Sequence, residues 1–147
     1  MVYRTLEPHC PRCTVPLQAT MALWIERHSC PRCHGHLITH EQLTEVARII
    51  DVPIDTLERD ALPGVSELPC PTCRTPMLRL SVGRLPGVPI DRCATHGVWF
   101  DAHELDHTLS ALGADVEDRG GDPWPAGGAR RPGLVARLRA LLGLRPW

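Results

Sequence analysis

Cys10-Pro11-Arg12-Cys13 recurs sixty residues later as Cys70-Pro71-Thr72-Cys73, and Cys30-Pro31-Arg32-Cys33 recurs as Cys93-Ala94-Thr95-His96. Zinc takes four ligands in a tetrahedron, and two ligands separated by two residues grip one edge of it from a single tight turn. Sixteen residues separate the two turns of the first repeat and nineteen those of the second, enough for a hairpin that brings each pair of turns onto one ion. Cys10, Cys13, Cys30 and Cys33 are therefore candidate ligands of one zinc, and Cys70, Cys73, Cys93 and His96 of a second. All seven cysteines are used and none is left over. Other readings stay open beside this one. Four thiolates also suit iron, so the first site admits either metal. His96 as an exposed imidazole would leave three ligands and an open position of the catalytic type. His34 and His36 lie close enough to Cys33 to compete for it, whereas His9, His28, His40, His103 and His107 read as surface residues. Disulfides and a thioredoxin-like Cys-x-x-Cys fit poorly, because the cysteine count is odd and no βαβ pattern surrounds the motifs.

The repeat continues beyond the ligands. Thr39-His40-Glu41-Gln42 and Asp101-Ala102-His103-Glu104 both have the form of a helix capping box. Leu43, Val46, Ala47 and Ile50 then follow at helical spacing, as do Leu105, Leu109 and Leu112. The helices should end near Asp51, ahead of Pro53, and at Gly113. Thr20 to Arg27 and Met77 to Val82 read as strand-like, and Gly83 to Pro89 is rich in turn residues. The expected fold is a small metal-bound α+β chain. It comprises two zinc ribbons, meaning short antiparallel β-hairpins with zinc knuckles, each followed by a short α-helix, plus a C-terminal amphipathic helix. The expected division is ribbon and helix at 1–51, a linker at 52–67, ribbon and helix at 68–113, and a flexible linker with a basic amphipathic tail at 114–147.

With 4% aromatic residues and 15 prolines in 147 residues, the chain is poor material for one large core, so the ions must help hold it together. Residues 1 to 8 show no secretory pattern and no apolar stretch is long enough to cross a bilayer, which points to a reducing cytoplasm. The net charge of −1 gives no general attraction to nucleic acid or acidic lipid. All sixteen basic residues are Arg, with no Lys or Asn, a bias we attribute to a GC-rich genome. In the tail, Arg130, Arg131, Arg137, Arg139 and Arg145 surround Leu134, Val135, Leu138, Leu141 and Leu142, so Gly133 to Leu144 can form a short helix with one apolar face and a basic flank. Such a tail can dock on its own ribbons, on a partner or on an anionic surface.

Cys-Pro-x-Cys, spacer, Cys-x-x-Cys or His, Gly, aromatic-aliphatic-Asp and Glu-Leu together resemble the transcription-factor-IIB-type zinc-ribbon family, found in many short bacterial proteins, here in two tandem copies. The second repeat carries the family's tail in Gly97, Trp99, Phe100, Asp101, Glu104 and Leu105. It departs in having His96 for the usual Cys and one residue fewer before Gly97. The first repeat has Leu37, Ile38 and Thr39 in place of the aromatic-aliphatic-Asp triplet. The resemblance implies a ribbon fold and bound zinc, two ions per chain, but no common activity. Trp99 and Phe100, at the ribbon–helix junction, read as core. Closed four-ligand sites and the absence of any phosphate loop or nucleophile motif in the sequence argue against an enzyme. The expectation is a non-enzymatic zinc-binding adaptor with a protein partner, in a transcription-associated setting. The alternative is a nucleic-acid-binding regulator using Arg12, Arg32, Arg74, Arg79, Arg84 and Arg92, and a third reading is a zinc hydrolase with an open second site. Whether those arginines form one contiguous face separates the first two.

Overall fold

The computed structural model of the protein describes residues 7–22, 25–50, 60–82, 87–105 and 107–108. Seven strands appear in it: β1 (Gln18–Ala22), β2 (Ile25–Ser29), β3 (His36–Thr39), β4 (Asp60–Pro69), β5 (Pro76–Val82), β6 (Val88–Cys93) and β7 (Gly97–Phe100). They form one antiparallel sheet in the order β1-β2-β3-β7-β6-β5-β4. The two repeats are thus halves of a single sheet, joined where β3 pairs with β7.

That seam places equivalent residues opposite each other. Leu37 and Trp99 occupy the same place in the two repeats, and they are also cross-strand partners. The repeats therefore meet about a local two-fold through this pair, the arrangement an isologous dimer would take. Side chains alternate along each strand, so paired residues share a face. Arg79, Asp91, Trp99 and Leu37 form one row across β5, β6, β7 and β3. Val65, Leu78, Arg92, Val98 and Ile38 form a row on the opposite face. On the first face Trp99 and Leu37 join Cys10, Cys30, Cys70, Cys93, Leu17 and Met77 in one buried cluster. Ile25, Ile90, Val98 and Phe100, from the opposite face, are buried as well. The expectation that Trp99 and Phe100 are core residues agrees with their near-complete burial.

Helix α1 (His40–Ile50) follows β3 and packs on β2, β3 and β7, burying Leu43 and Val46. Its capping box is reciprocal: the Gln42 N–H donates to Thr39 Oγ1 at 3.3 Å, and the Thr39 N–H donates to Gln42 Oε1 at 3.2 Å. The second box is only half formed. The Asp101 N–H donates to Glu104 Oε2 at 2.8 Å, but the Asp101 carboxylate accepts from Trp99 Nε1 at 3.0 Å and from Arg12 instead of capping. A charge-assisted guanidinium pair outcompetes a lone backbone N–H for those oxygens.

Thr20 to Arg27, read as strand-like within a hairpin, falls in β1 and β2, which pair antiparallel, so that reading stands. Other expectations are corrected. The stretch 52–67, read as a linker, contributes β4 from Asp60, which pairs with β5 through two irregularities despite Pro63 and Pro69. Prolines are tolerated there because β4 is an edge strand. Strands β3, β6 and β7 were not read from the sequence. After the second ribbon Glu104, Leu105, His107 and Thr108 are helical, and Leu105 is buried. The rest of that expected helix and the whole C-terminal amphipathic helix lie outside the described residues, so α1 is the one complete helix among those described.

The seam depends on Gly97. Its φ is +148°, and a Cβ there would fall 2.2 Å from the Ile38 carbonyl oxygen and 2.7 Å from Thr39 Cα on β3. Gly97→Ala must push the two backbones apart, and thermal unfolding of the zinc-loaded protein should show a loss of about 3 kcal/mol or more.

Candidate metal centres

Each ligand pair sits on a tight turn whose backbone is built for it. The N–H groups of Thr14, His34 and Arg74 donate to the carbonyls of Cys10, Cys30 and Cys70 at 2.9, 3.1 and 3.0 Å. These three residues have φ of 57°, 60° and 64°, a left-handed conformation held at some cost by the turn. Backbone N–H groups also point at the first sulfur of these turns: Cys13 to Cys10 Sγ at 3.3 Å, Arg32 to Cys30 Sγ at 3.4 Å, and Thr72 to Cys70 Sγ at 3.4 Å. Such donors favour the thiolate that a metal needs.

Two groups of four donors result. In Cys10, Cys13, Cys30 and Cys33, and again in Cys70, Cys73, Cys93 and His96, the ligand atoms all lie within 4.8 Å of one another. A tetrahedron with ordinary zinc bond lengths has edges of about 3.8 Å between sulfurs and about 3.6 Å between sulfur and nitrogen. Cys10 Sγ lies 3.5 Å from Cys33 Sγ, and Cys73 Sγ lies 3.8 Å from Cys93 Sγ. His96 Nδ1 is 3.7 Å from Cys70 Sγ and 3.5 Å from Cys93 Sγ. The donor sets fit zinc, with His96 offering Nδ1, and the competing His34 and His36 belong to neither group. None of the cysteines is in a disulfide.

Burial and hydrogen bonding divide the thiols. Burial pushes Cys10 up to about 12 and Cys70 up to about 11. Burial opposes ionisation of Cys30 as well, but N–H donors from Cys33 and Arg32 bring it down to about 7. The Thr75 hydroxyl and backbone bring Cys73 down to about 6. Each site thus joins a thiol that ionises readily to one that gives up its proton only against the charge of an ion, and zinc uptake must release protons.

Around the ligands lie contacts that the sequence did not point to. His40 Nε2–H donates to the carbonyl of Cys93 at 2.7 Å, so this histidine, read as a surface residue, serves the other ribbon's site. The His9 N–H donates to the Pro71 carbonyl at 3.0 Å. Arg12, inside the first turn, grips Asp101 with Nε on Oδ1 at 2.6 Å and Nη2 on Oδ2. Asp91, buried in the row with Trp99, and Asp101 both add to the burial that pushes Glu104 up to about 7. Apart from Asp101 and Glu104, which capping-box spacing had already joined, no local spacing links these partners.

Residues 69–111 match the family described as "Transcription factor zinc-finger". No curated protein and no solved structure matches the chain. The match covers the second ribbon, and the four-cysteine group of the first rests on its geometry. Together they give the chain two zinc sites.

Metal analysis of the purified protein should therefore find two zinc ions per chain. Each structural zinc is worth roughly 10–16 kcal/mol, so chelation should unfold the ribbons, read as loss of dispersed amide chemical shifts. A second outcome concerns Glu104. Its carboxyl is raised from 4.5 to about 7, so the stability tied to its protonated form is complete below 4.5 and is lost as pH rises through 7. Glu104→Gln keeps the acceptor for the Asp101 N–H without the charge. Its stability advantage should grow by about 1 kcal/mol between about pH 6 and about pH 8, after allowance for solvent screening. Chemical denaturation at the two pH values measures it.

Proposed function

We propose that this chain is a non-enzymatic zinc-binding protein that acts as a protein-interaction adaptor, transcription-associated as the family description of its second ribbon suggests. The observation that carries the choice of a protein partner is the scatter of the arginines. Arg79 and Arg92 belong to rows on opposite faces of the sheet. Arg12 is engaged by Asp101, whose carboxylate also feels Arg79, and Arg48 is paired with Glu45, so these cations are already answered by acids. Arg32 and Arg74 are exposed, each on a different ligand turn, and Arg84 lies outside the described residues. A phosphate-tracking surface needs its cations on one side. The groove between α1 and the β1–β2 hairpin is lined instead by Glu41 and Glu26 beside Met21 and Ile25, with Glu45 already paired to Arg48, a mildly acidic surface that suits a basic peptide better than a phosphate backbone.

A four-donor shell leaves no place for a reacting water, which supports a structural role for both ions over hydrolysis at the second. Among the described residues no helix is long and apolar enough to cross a membrane. The reduced ligand thiols suit a cytoplasmic setting. The basic tail with Arg130, Arg131, Arg137, Arg139 and Arg145 is a second contact element in this reading. Nucleic-acid binding through the ribbon is the alternative, because zinc ribbons serve both kinds of partner.

Affinity capture with the full chain and with a version ending at Gly113, at low and high salt and after nuclease treatment, tests the proposal. A specific protein that survives nuclease and needs the tail is the expected result. Recovery of nucleic acid alone, lost steeply with salt, would move the assignment to the alternative.

A further inference from the structure

Outside the symmetric β3–β7 ladder, three bonds between the ribbons have no counterpart in the opposite direction. His9, Arg12 and His40 of the first ribbon bond Pro71, Asp101 and Cys93 of the second. In the repeat, Pro69 stands where His9 does, Thr72 where Arg12 does, and Ala102 where His40 does. Pro69 has no N–H to donate, and Thr72 and Ala102 have neither guanidinium nor imidazole. The reciprocal ties cannot be made.

Two of the three ties land on the turns that hold the second ion. Pro71 lies inside the Cys70–Cys73 turn, and Cys93 is itself a ligand. The Cys93–His96 turn is the irregular one. The other three turns each close on a left-handed residue that bonds back to the first cysteine carbonyl, whereas this turn is one residue shorter and runs directly into Gly97. The Cys93 carbonyl receives His40 Nε2–H. His40 in turn is placed by the first ribbon: the Cys30–Cys33 turn leads into β3, and the Thr39–Gln42 box at its end fixes the first residue of α1, which is His40. Both sets of cysteines also share one buried cluster with Leu37 and Trp99.

We propose that the first ribbon preforms the second zinc site, so that filling either site raises the affinity of the other, with His40 as the main positioning residue and His9 and Arg12 as supports. Coupling of this kind is reciprocal by thermodynamic necessity. Outer-shell partners that orient ligands commonly change metal affinity by about tenfold or more.

Cobalt(II) as the probe ion distinguishes the sites in the full-length protein, because its visible bands differ between four thiolates and three thiolates with one imidazole. Cys33→Ser disables the first site without touching any of the three ties. Second-site cobalt affinity should then fall by about tenfold or more, and a value within about twofold of the intact chain would overturn the proposal. His40→Ala keeps all eight ligands. It should speed loss of the imidazole-bearing site to a chelator by about tenfold, and His40→Gln, whose amide can still donate to the Cys93 carbonyl, should restore much of the difference. Unchanged release in His40→Ala, or equal weakening of both bands with no rescue by Gln, would also overturn it.

Discussion

Closure of two metal tetrahedra around one shared core is the constraint on which the remaining structure depends. Cys10, Cys30, Cys70 and Cys93, two ligands from each site, are buried together with Leu37, Met77 and Trp99. A chain with a single Phe and a single Tyr has little else with which to exceed the entropy of ordering its turns. The ions supply cross-links in place of apolar area, and the turns tolerate left-handed Thr14, His34 and Arg74 because four donors must converge within a few ångströms.

The β3–β7 seam turns two small metal-bound units into one body. Leu37 and Trp99, equivalent in the repeat, face each other across it, and Gly97 allows the strands to approach where any side chain would strike the Ile38 carbonyl. The polar contacts break this symmetry. Asp101 gives up its capping role to hold Arg12 and Trp99, while its counterpart Thr39 keeps the cap. The two halves of a repeat thus differ in detail, one keeping its helix cap and the other giving its capping carboxylate to its neighbour's arginine.

Much of the metal chemistry was legible in the residues alone. Cys-x-x-Cys turns, the Thr39–Gln42 box, the apolar spacing of Leu43 and Val46, and the core position of Trp99 and Phe100 are local patterns, and local patterns survive in sequence because the atoms involved are near neighbours along the chain. The ligand sets were found by accounting, since eight donors at knuckle spacing divide into two fours with none left over. Strands β3, β4, β6 and β7 were not legible. Their residues are short, proline-bearing or mixed, and they are strands because of what they pair with.

By itself, then, the sequence determined the donors, the turns that present them, the first helix and its cap, and the need for two ions to stabilise a chain so poor in aromatic residues. Only the tertiary structure decided that the two ribbons share one sheet, that His40 serves the opposite site, that Asp101 answers Arg12, and that Arg79 and Arg92 face opposite ways. The physical reason is separation along the chain. Arg12 meets Asp101 across 89 residues and His40 meets Cys93 across 53, and no periodicity encodes a contact between groups brought together only when the sheet closes.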